Sequence, residues 1–233
     1  MELLSFGDKG WGDELALAAC MTLAVASCAF LLGTVFGCFG ALAKLSGLRA
    51  LEIAADAYTT VVRGIPELLV IYLLFFGGSG ALMFVASMFG HTGYIGVNAF
   101  MTGVAAIGFV NGAYSTEAIR GAVLAVPKGQ IEAAKAYGMP PWTLFRRILA
   151  PQVLRFALPS LGNVWQLCLK ETALISVTGL VEIMRQATIG AGSTQKPFTF
   201  YACAAVLYLL LTTLSGIGFG RAERWAERGV RRS

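Results

Sequence analysis

The chain consists of long apolar segments separated by short polar ones. The first segment, residues 15–43, contains no charged residue and exceeds the roughly 20 residues that cross a hydrocarbon core. Further apolar segments cover about 54–76, 97–122, 155–180 and 198–220. This pattern predicts an all-α integral membrane protein with about five transmembrane helices.

Polar residues and glycines mark interruptions of this pattern. Arg63 and Glu67 lie inside the second segment, and Gly77–Gly80 predicts its end because glycine disfavours helix. Residues 81–89 are too short to span the membrane and predict an interfacial or re-entrant piece. His91 follows in a loop, where we expect a turn residue rather than a ligand.

Glycines in the first segment predict a close helix contact. Gly33, Gly37 and Gly40 fall on or near one helical face. Because glycine lacks a Cβ atom, another backbone can approach such a face closely. We therefore expect the first span to pack through this side.

Composition agrees with a membrane protein. Of 233 residues, 57% are apolar and 13% are charged, whereas about a quarter are charged in soluble domains. The five cysteines stand singly in apolar runs, so we interpret them as buried thiols rather than metal ligands. The acidic N-terminus lacks the basic start of a signal peptide, and the first segment is therefore interpreted as a span.

The distribution of charge predicts an orientation. Basic residues dominate residues 120–155 and the tail that begins at Arg221, whereas the N-terminus is net acidic. The positive-inside rule then places the N-terminus in the periplasm and the C-terminus in the cytoplasm. An odd number of spans agrees with termini on opposite sides.

The longest polar passage, about 128–151, lies between the third and fourth segments. Residues 130–137 favour a helix that Gly138 ends. Pro141 can begin a second helix, which Pro151 limits. Its basic side chains would suit a helix lying on anionic lipid. Small residues, however, are denser here than such a helix needs, and they indicate a docking surface for a protein partner.

Four sequence motifs resemble one family. The passage E-A-A-K-A-Y-G (132–138) resembles the cytoplasmic loop of bacterial ABC importer permeases. Similar signatures are Y-T-T-V-V-R-G-I-P-E (58–67), G-A-Y-S-T-E-A-I-R-G (112–121) and A-L-P-S-L-G-N-V-W-Q-L-C-L-K-E-T-A-L (157–174). They look like the polar amino-acid subgroup, closest to the Q-type permeases of histidine, lysine, arginine and ornithine importers and of octopine and nopaline importers.

The resemblance implies a type I ABC importer permease fold, with residues 1–233 forming one transmembrane domain. The loop at about 128–151 would be a coupling helix seated in a cleft of a cytoplasmic ATPase. Glu132 would then make the polar contact to the ATPase. Ala133 and Ala134 would give the close-packing surface, and Gly138 would shape the turn.

The same resemblance implies the partners of the chain. They are a cytoplasmic ATPase dimer, a second permease subunit, a periplasmic solute-binding protein, an amino-acid substrate and the lipid of the bacterial inner membrane, with no nucleic acid. The sequence has no G-x-x-x-x-G-K-[ST] motif, so we expect no P-loop binding of nucleotide phosphates and no cofactor on this chain. ATP with magnesium would belong to the ATPase. We therefore expect a transporter subunit rather than an enzyme.

Polar residues in the fourth segment are candidates for the translocation path. Asn163, Gln166 and Lys170 fall at successive helical turns, and Glu171 adds a carboxylate. They could line the path or make polar contacts at the interface between two permeases. Because Lys170 opposes the carboxylate, local charge leaves the sign of the substrate open.

Two further charged pairs lie inside predicted spans. Arg63 and Glu67 are four residues apart and could pair on one helical face. Glu117 and Arg120 lie near the end of the third segment, where their side chains could also reach the interface. Each pair is either a structural contact or part of a gate or interface.

Alternative functions agree less well with the sequence. A membrane enzyme would need a convergent nucleophile, base or metal cluster, and the chain has one histidine. An ion-driven carrier would need two repeats and more spans. Within the importer interpretation, basic amino acids or opines are favoured, and another polar amino acid such as glutamine is the alternative.

Overall fold

The protein is described by a computed structural model that covers residues 2–7, 10–88 and 98–227. All regular structure in this part is helical. In chain order the α-helices are α1 (Gly12–Lys44), α2 (Arg49–Gly64), α3 (Glu67–Tyr72), α4 (Gly78–Met88), α5 (Ala99–Leu124), α6 (Lys128–Ala136), α7 (Pro141–Leu144), α8 (Ala150–Glu171), α9 (Ile183–Thr194) and α10 (Pro197–Ala226). π-Helical turns at Leu73–Gly77 and Phe145–Leu149 and 3₁₀ turns at Glu2–Leu4 and Thr172–Thr178 complete them. The predicted turn at His91 lies outside the described residues.

Long apolar helices confirm the membrane-protein fold. α1, with 33 residues, and α10, with 30, are each long and apolar enough to cross a membrane. α5 and α8 have 26 and 22 residues, so at 1.5 Å per residue they also reach across, although both carry polar side chains.

The second predicted span is not one straight helix. The chain bends by 109° between α2 and the helix that starts at Glu67. Ile65 is extended there, because a residue before proline is pushed out of the helical region. The predicted stop at Gly77–Gly80 is wrong, since α4 begins at Gly78 and runs to Met88. Because residues 81–88 belong to this helix, the interpretation of 81–89 as a separate re-entrant piece is also wrong for these described residues. In lipid an unpaired backbone group costs more than helical glycine, so the helix continues.

Pro151 does not end the second helix of the polar passage. Helical structure continues from α7 through the π turn Phe145–Leu149 into α8, where Pro151 is the second residue. A proline ring clashes with the carbonyl four residues earlier, and a widened turn at that place relieves the clash. α8 ends at Glu171, inside the apolar segment 155–180, and a 3₁₀ turn follows it.

The segment between the fourth and fifth apolar segments contains helix α9. The Glu182 carboxylate caps it by accepting hydrogen bonds from the backbone N–H groups of Met184 (2.9 Å) and Arg185 (2.7 Å). Because serine, threonine, aspartate and asparagine are the usual capping residues, glutamate gave no start signal. The Tyr208 hydroxyl also donates to Glu182, at 2.7 Å, and ties α9 to α10.

The core is centred on α1 and α5, which approach through small residues as expected. A Cβ atom on Gly33 would lie 3.0 Å from the Gly108 carbonyl oxygen. One on Gly37 would overlap with the Cβ atom of Ser115. Around this contact pack the buried side chains Val25, Ala29, Ile107, Trp165, Leu169 and Ile175. The cysteines differ from the prediction: only Cys168 is fully buried, because the apolar outer face of α1 exposes Cys20, Cys28 and Cys38.

The glycine contact gives a test of the packing. We expect Gly37→Ala to lower the free energy of unfolding by about 1–3 kcal/mol, since overpacking forces two backbones apart. Thermal unfolding in detergent measures the change. Gly218→Ala is the matched control, because no atom lies within 4 Å of a Cβ there. Combining Gly37→Ala with Ser115→Gly should recover only part of the loss, because the Ser115 backbone carbon would still lie 2.9 Å from the added Cβ atom. Equal unfolding temperatures for Gly37→Ala and Gly218→Ala would contradict the role of the contact.

Candidate functional site

Polar side chains from α2, α3 and α5 meet where the chain bends. The Tyr114 hydroxyl donates to Glu67 Oε1 at 3.3 Å, and the guanidinium carbon of Arg63 lies 5.4 Å from the centre of the Tyr114 ring. Among the described residues no ion pair joins Arg63 to Glu67, so the predicted pairing is wrong. The 109° bend between them removes the helical register on which that pairing depended.

One turn earlier on α5, a carboxylate is buried beside an amide. Asn111 Nδ2 donates to Glu171 Oε2 at 2.5 Å, and the two residues are 0% and 4% exposed. Within the described part of the chain, Asn111 Oδ1 and Glu171 Oε1 have no hydrogen-bond partner. Leaving buried acceptors unsatisfied is costly, so a donor-bearing ligand would be stabilised here.

Asn111 and Tyr114 are three residues apart on α5 and therefore share one face. Both carboxylates approach this face, Glu67 through Tyr114 and Glu171 through Asn111. We call Glu67, Asn111, Tyr114 and Glu171 the carboxylate cluster. It combines two carboxylates with one phenol and one amide, a set that can accept hydrogen bonds from an ammonium or guanidinium group.

The other predicted path residues lie apart from this cluster. Gln166 is half-buried and faces Gly216 of α10. Asn163 and Lys170, two helical turns apart, are exposed on the surface of the chain. Of the predicted polar stripe on α8, only Glu171 therefore turns toward α5.

A second group of charges holds the end of α1 against α2 and α5. Lys44 Nζ lies 2.5 Å from Glu117 Oε1 and 2.7 Å from Asp56 Oδ1. It also donates to Thr59 Oγ1 at 2.7 Å. Arg120 donates to Glu117 Oε2 through Nη2 (2.8 Å) and Nε (3.0 Å). The pairing of these two residues, three apart in the sequence, therefore does form. Sequence reasoning missed Lys44 and Asp56, because nothing local connects Lys44 to a partner 73 residues away.

A polar cleft borders the second group of charges and reaches Tyr114. It has a volume of about 620 Å³, and Lys44, Asp56, Arg63, Tyr114 and Arg120 are among its lining residues. Tyr114 is common to the cleft and to the carboxylate cluster. The cleft therefore extends from the end of α1 as far as Tyr114.

The predicted coupling element is a short helix with a defined end. Gly138 has φ +70°, and its N–H donates to the Lys135 carbonyl at 2.9 Å. The Met139 N–H donates to the Ala134 carbonyl at 3.1 Å, which completes a Schellman motif. Glu132 and Ala133 are exposed, whereas Ala134 is only 4% exposed. Ala134 therefore packs within the chain and differs from the surface position expected for it.

Residues 29–228 match the family described as binding-protein-dependent transport system inner membrane component. The chain belongs to this family. The nopaline transport system permease protein NocQ of Agrobacterium fabrum is 59% identical over 99% of this chain and 98% of its own length. The histidine/lysine/arginine/ornithine transport system permease protein HisQ of Escherichia coli is 39% identical over 96% of this chain and 98% of its own length.

A solved structure agrees with this membership. The crystal structure of an amino acid ABC transporter with histidines contains a chain that matches with a TM-score of 0.77 and 32% identity. The match covers 92% of this chain and 94% of that one. The permease therefore has the type I ABC importer fold. It is a membrane transport subunit rather than an enzyme, and ATP hydrolysis belongs to a separate subunit.

The permease offers a test of the charge group around Lys44. The Lys44 side chain is 8% exposed, whereas the Asp56 side chain is 66% exposed. We expect Lys44→Met to cost on the order of 3 kcal/mol of stability, because it leaves Glu117 with one cation fewer in a partly buried site. Asp56→Asn, which removes an exposed partner, should cost under about 1 kcal/mol. Thermal unfolding of both variants in detergent gives the comparison, and a larger loss for Asp56→Asn would refute it.

Proposed function

We propose that this permease is the transmembrane subunit of an ATP-driven importer for polar amino acids or opines, with cationic ligands favoured. The relatives whose names mention nopaline or histidine, lysine, arginine and ornithine support an amino-acid substrate. The observation that carries the proposal is the buried Glu171 carboxylate, which keeps one oxygen without a partner in the described structure.

The carboxylate cluster would recognise the cationic end of a ligand. Glu171 Oε1 and the neighbouring Asn111 Oδ1 are both unsatisfied acceptors, so together they can receive two N–H donors. Hydrogen bonds to charged groups are roughly twice as strong as neutral ones, and a buried site strengthens them further. Glu67 adds a second negative charge through Tyr114. A guanidinium or ammonium group that enters the site would thus exchange its hydration water for these hydrogen-bond acceptors.

The remaining polar residues take two different roles in this proposal. Arg63 and Glu67 flank Tyr114 at the 109° bend, where a movement of α2 would change access to Glu171 from the cleft. They would act as a gate, with the Glu117 and Arg120 pair holding α2 in place through Lys44. Asn163 and Lys170, exposed on the single chain, suit contact with a second permease. Gln166 would support their helix against α10.

The arrangement of partners follows from orientation. Basic residues of the passage 128–151 and of the end of α10 support a cytoplasmic location for both, with the N-terminus in the periplasm. A cytoplasmic ATPase dimer would carry ATP and magnesium. A second permease would lie beside this chain, and a solute-binding protein would deliver the substrate from the periplasm. Residues 1–233 would act as one transmembrane domain.

Coupling would proceed through α6. Its exposed Glu132 and Ala133 would contact the ATPase, and Gly138 would fix the shape of the end of the helix. Gln152 Nε2 donates to Gln130 Oε1 at 2.7 Å and links α6 to α8. α6 also begins four residues after α5 ends, so displacement of α6 would move the helix that carries Asn111 and Tyr114.

The ligand role of Glu171 can be tested with the isosteric Glu171→Gln. The amide oxygen can still accept from Asn111, so the fold should persist while the charge is lost. We expect ATP-dependent uptake of L-arginine into proteoliposomes containing the complete importer to fall at least about tenfold, since a hydrogen bond to a charged group contributes ~1.5–3 kcal/mol. Uptake of neutral L-glutamine should change much less.

Glu14→Gln is the matched control, because Glu14 is exposed at the start of α1. Unchanged arginine uptake by Glu171→Gln at normal complex yield would remove the cluster from the translocation path. Absence of ATP-dependent uptake of any amino acid by the unmodified complex would instead overturn the proposed function.

The turn at Gly138 allows a conformational test of coupling. No atom lies within 4 Å of a Cβ there, so a substitution acts through the backbone rather than through a clash. Valine strongly disfavours positive φ, whereas asparagine tolerates it. We expect Gly138→Val to reduce ATPase stimulation by loaded binding protein about tenfold and Gly138→Asn to retain most of it. Equal stimulation in both variants would show that the shape of the turn is irrelevant to docking.

A further inference from the structure

A groove lies between the start of α8 and the end of α10. The two helices touch where Gly162 meets the Phe219 ring, at 3.2 Å from a Cβ placed on the glycine. Nearer the end of α10, a groove of about 350 Å³ remains between them. Its walls are apolar apart from one indole and consist of Ala150, Pro151, Leu154, Trp225 and Ala226.

The groove is continuous with the outer face of α10. Only 6% of the apolar stretch of α10 is buried, so this helix faces away from the rest of the chain. Leu214 and Ile217 are 65% and 46% exposed. They lie seven and four residues before Arg221, on the same stripe of the helix. An acyl chain lying along this stripe would therefore end beside Arg221, which is one helical turn from the groove residue Trp225.

Two arginines each lie four residues before a residue that lines the groove. Arg221 is exposed one helical turn before Trp225, and Arg147 is exposed and lines a crevice together with Pro151. Within the described residues, neither has a carboxylate within 4 Å, whereas Lys44 and Arg120 are each paired with a carboxylate. The groove thus combines an apolar floor with cations that lack a counter-charge.

We propose that this groove binds an anionic phospholipid of the cytoplasmic leaflet. The acyl chain occupies the apolar floor, and the headgroup phosphate accepts hydrogen bonds from Arg221 and Arg147, since a guanidinium matches phosphate geometry. Trp225, 61% exposed, lies at the depth that indole prefers. Basic pockets between helices on this side suit anionic headgroups. The proposal rests on the orientation given above, because the opposite orientation would place the groove in the outer leaflet.

The lipid would contact the N-terminal end of α8. Pro151 lines both this groove and the crevice beneath α6, and Gln152 next to it holds α6 through Gln130. An acyl chain against Pro151 would restrict the movement of α8 relative to α10. The bound lipid would thus become part of the support of the coupling element.

Fluorescence quenching tests the proposal on the complete complex in nanodiscs. Phosphatidylcholine discs receive a small fraction of brominated phosphatidylglycerol or brominated phosphatidylcholine, and the signal of Trp225 is the difference between the unmodified chain and Trp225→Phe. We expect stronger quenching by the anionic lipid. Arg221→Gln should lower this preference about fivefold, the factor that corresponds to ~1 kcal/mol per basic residue. Arg49→Gln, an exposed arginine on α2, is the matched control and should leave the preference unchanged.

Ala226→Leu fills the groove without changing the charge and should reduce quenching by both lipids. Equal quenching by the two lipids, or an unchanged preference in Arg221→Gln, overturns the proposal. Retained quenching in Ala226→Leu indicates adsorption of headgroups only and also overturns it. Absence of quenching by either lipid shows that a protein subunit covers the groove. That result also overturns the proposal. None of these readings depends on transport, so a failure of amino-acid import is distinguishable from a failure of lipid binding.

Discussion

The rest of the structure depends on the close approach of α1 to α5. Lipid supplies no hydrophobic force between helices, so packing of small residues must hold them together. Gly33 and Gly37 bring the two backbones so close that even a methyl group would collide with Gly108 or Ser115. This contact fixes α5 at the centre of the molecule, and α8 then packs beside it with Trp165 and Leu169.

α5 organises the polar chemistry because of that central position. Along one helix, Asn111 meets Glu171, Tyr114 meets Glu67 and Glu117 meets Lys44. These three residues of α5 therefore contact three different elements, namely α8, α3 and α1. Polar groups inside a membrane are costly unless they are matched, and here most are matched across helices. Two acceptors that stay unmatched in the described part of the chain, Asn111 Oδ1 and Glu171 Oε1, belong to one hydrogen-bonded pair, and the proposed ligand site is placed on that pair.

Sequence reasoning succeeded where the signal is local. The apolar runs predicted α1, α5 and α10, and Gly138 predicted the end of α6 because a left-handed turn needs glycine. It failed where a partner distant in the sequence or the surrounding lipid determines the local structure. The glycines from Gly77 onward stay helical because lipid cannot hydrate a broken backbone. Lys44 meets Glu117 only through tertiary packing, and the acidic cap of α9 is a residue that rarely serves in that role.

The π turn at Phe145–Leu149 rotates the side chains of α7 relative to those of α8 within one continuous helix. It holds one residue more than an α-helical turn would, and one residue corresponds to about 100° of rotation. The stacked pair of Trp142 and Phe145, with ring centres 5.8 Å apart, is thereby turned to a different side from the apolar face of α8. One continuous helix can thus show aromatic side chains to the surroundings of the coupling loop and its apolar face to α5, without a hinge between them.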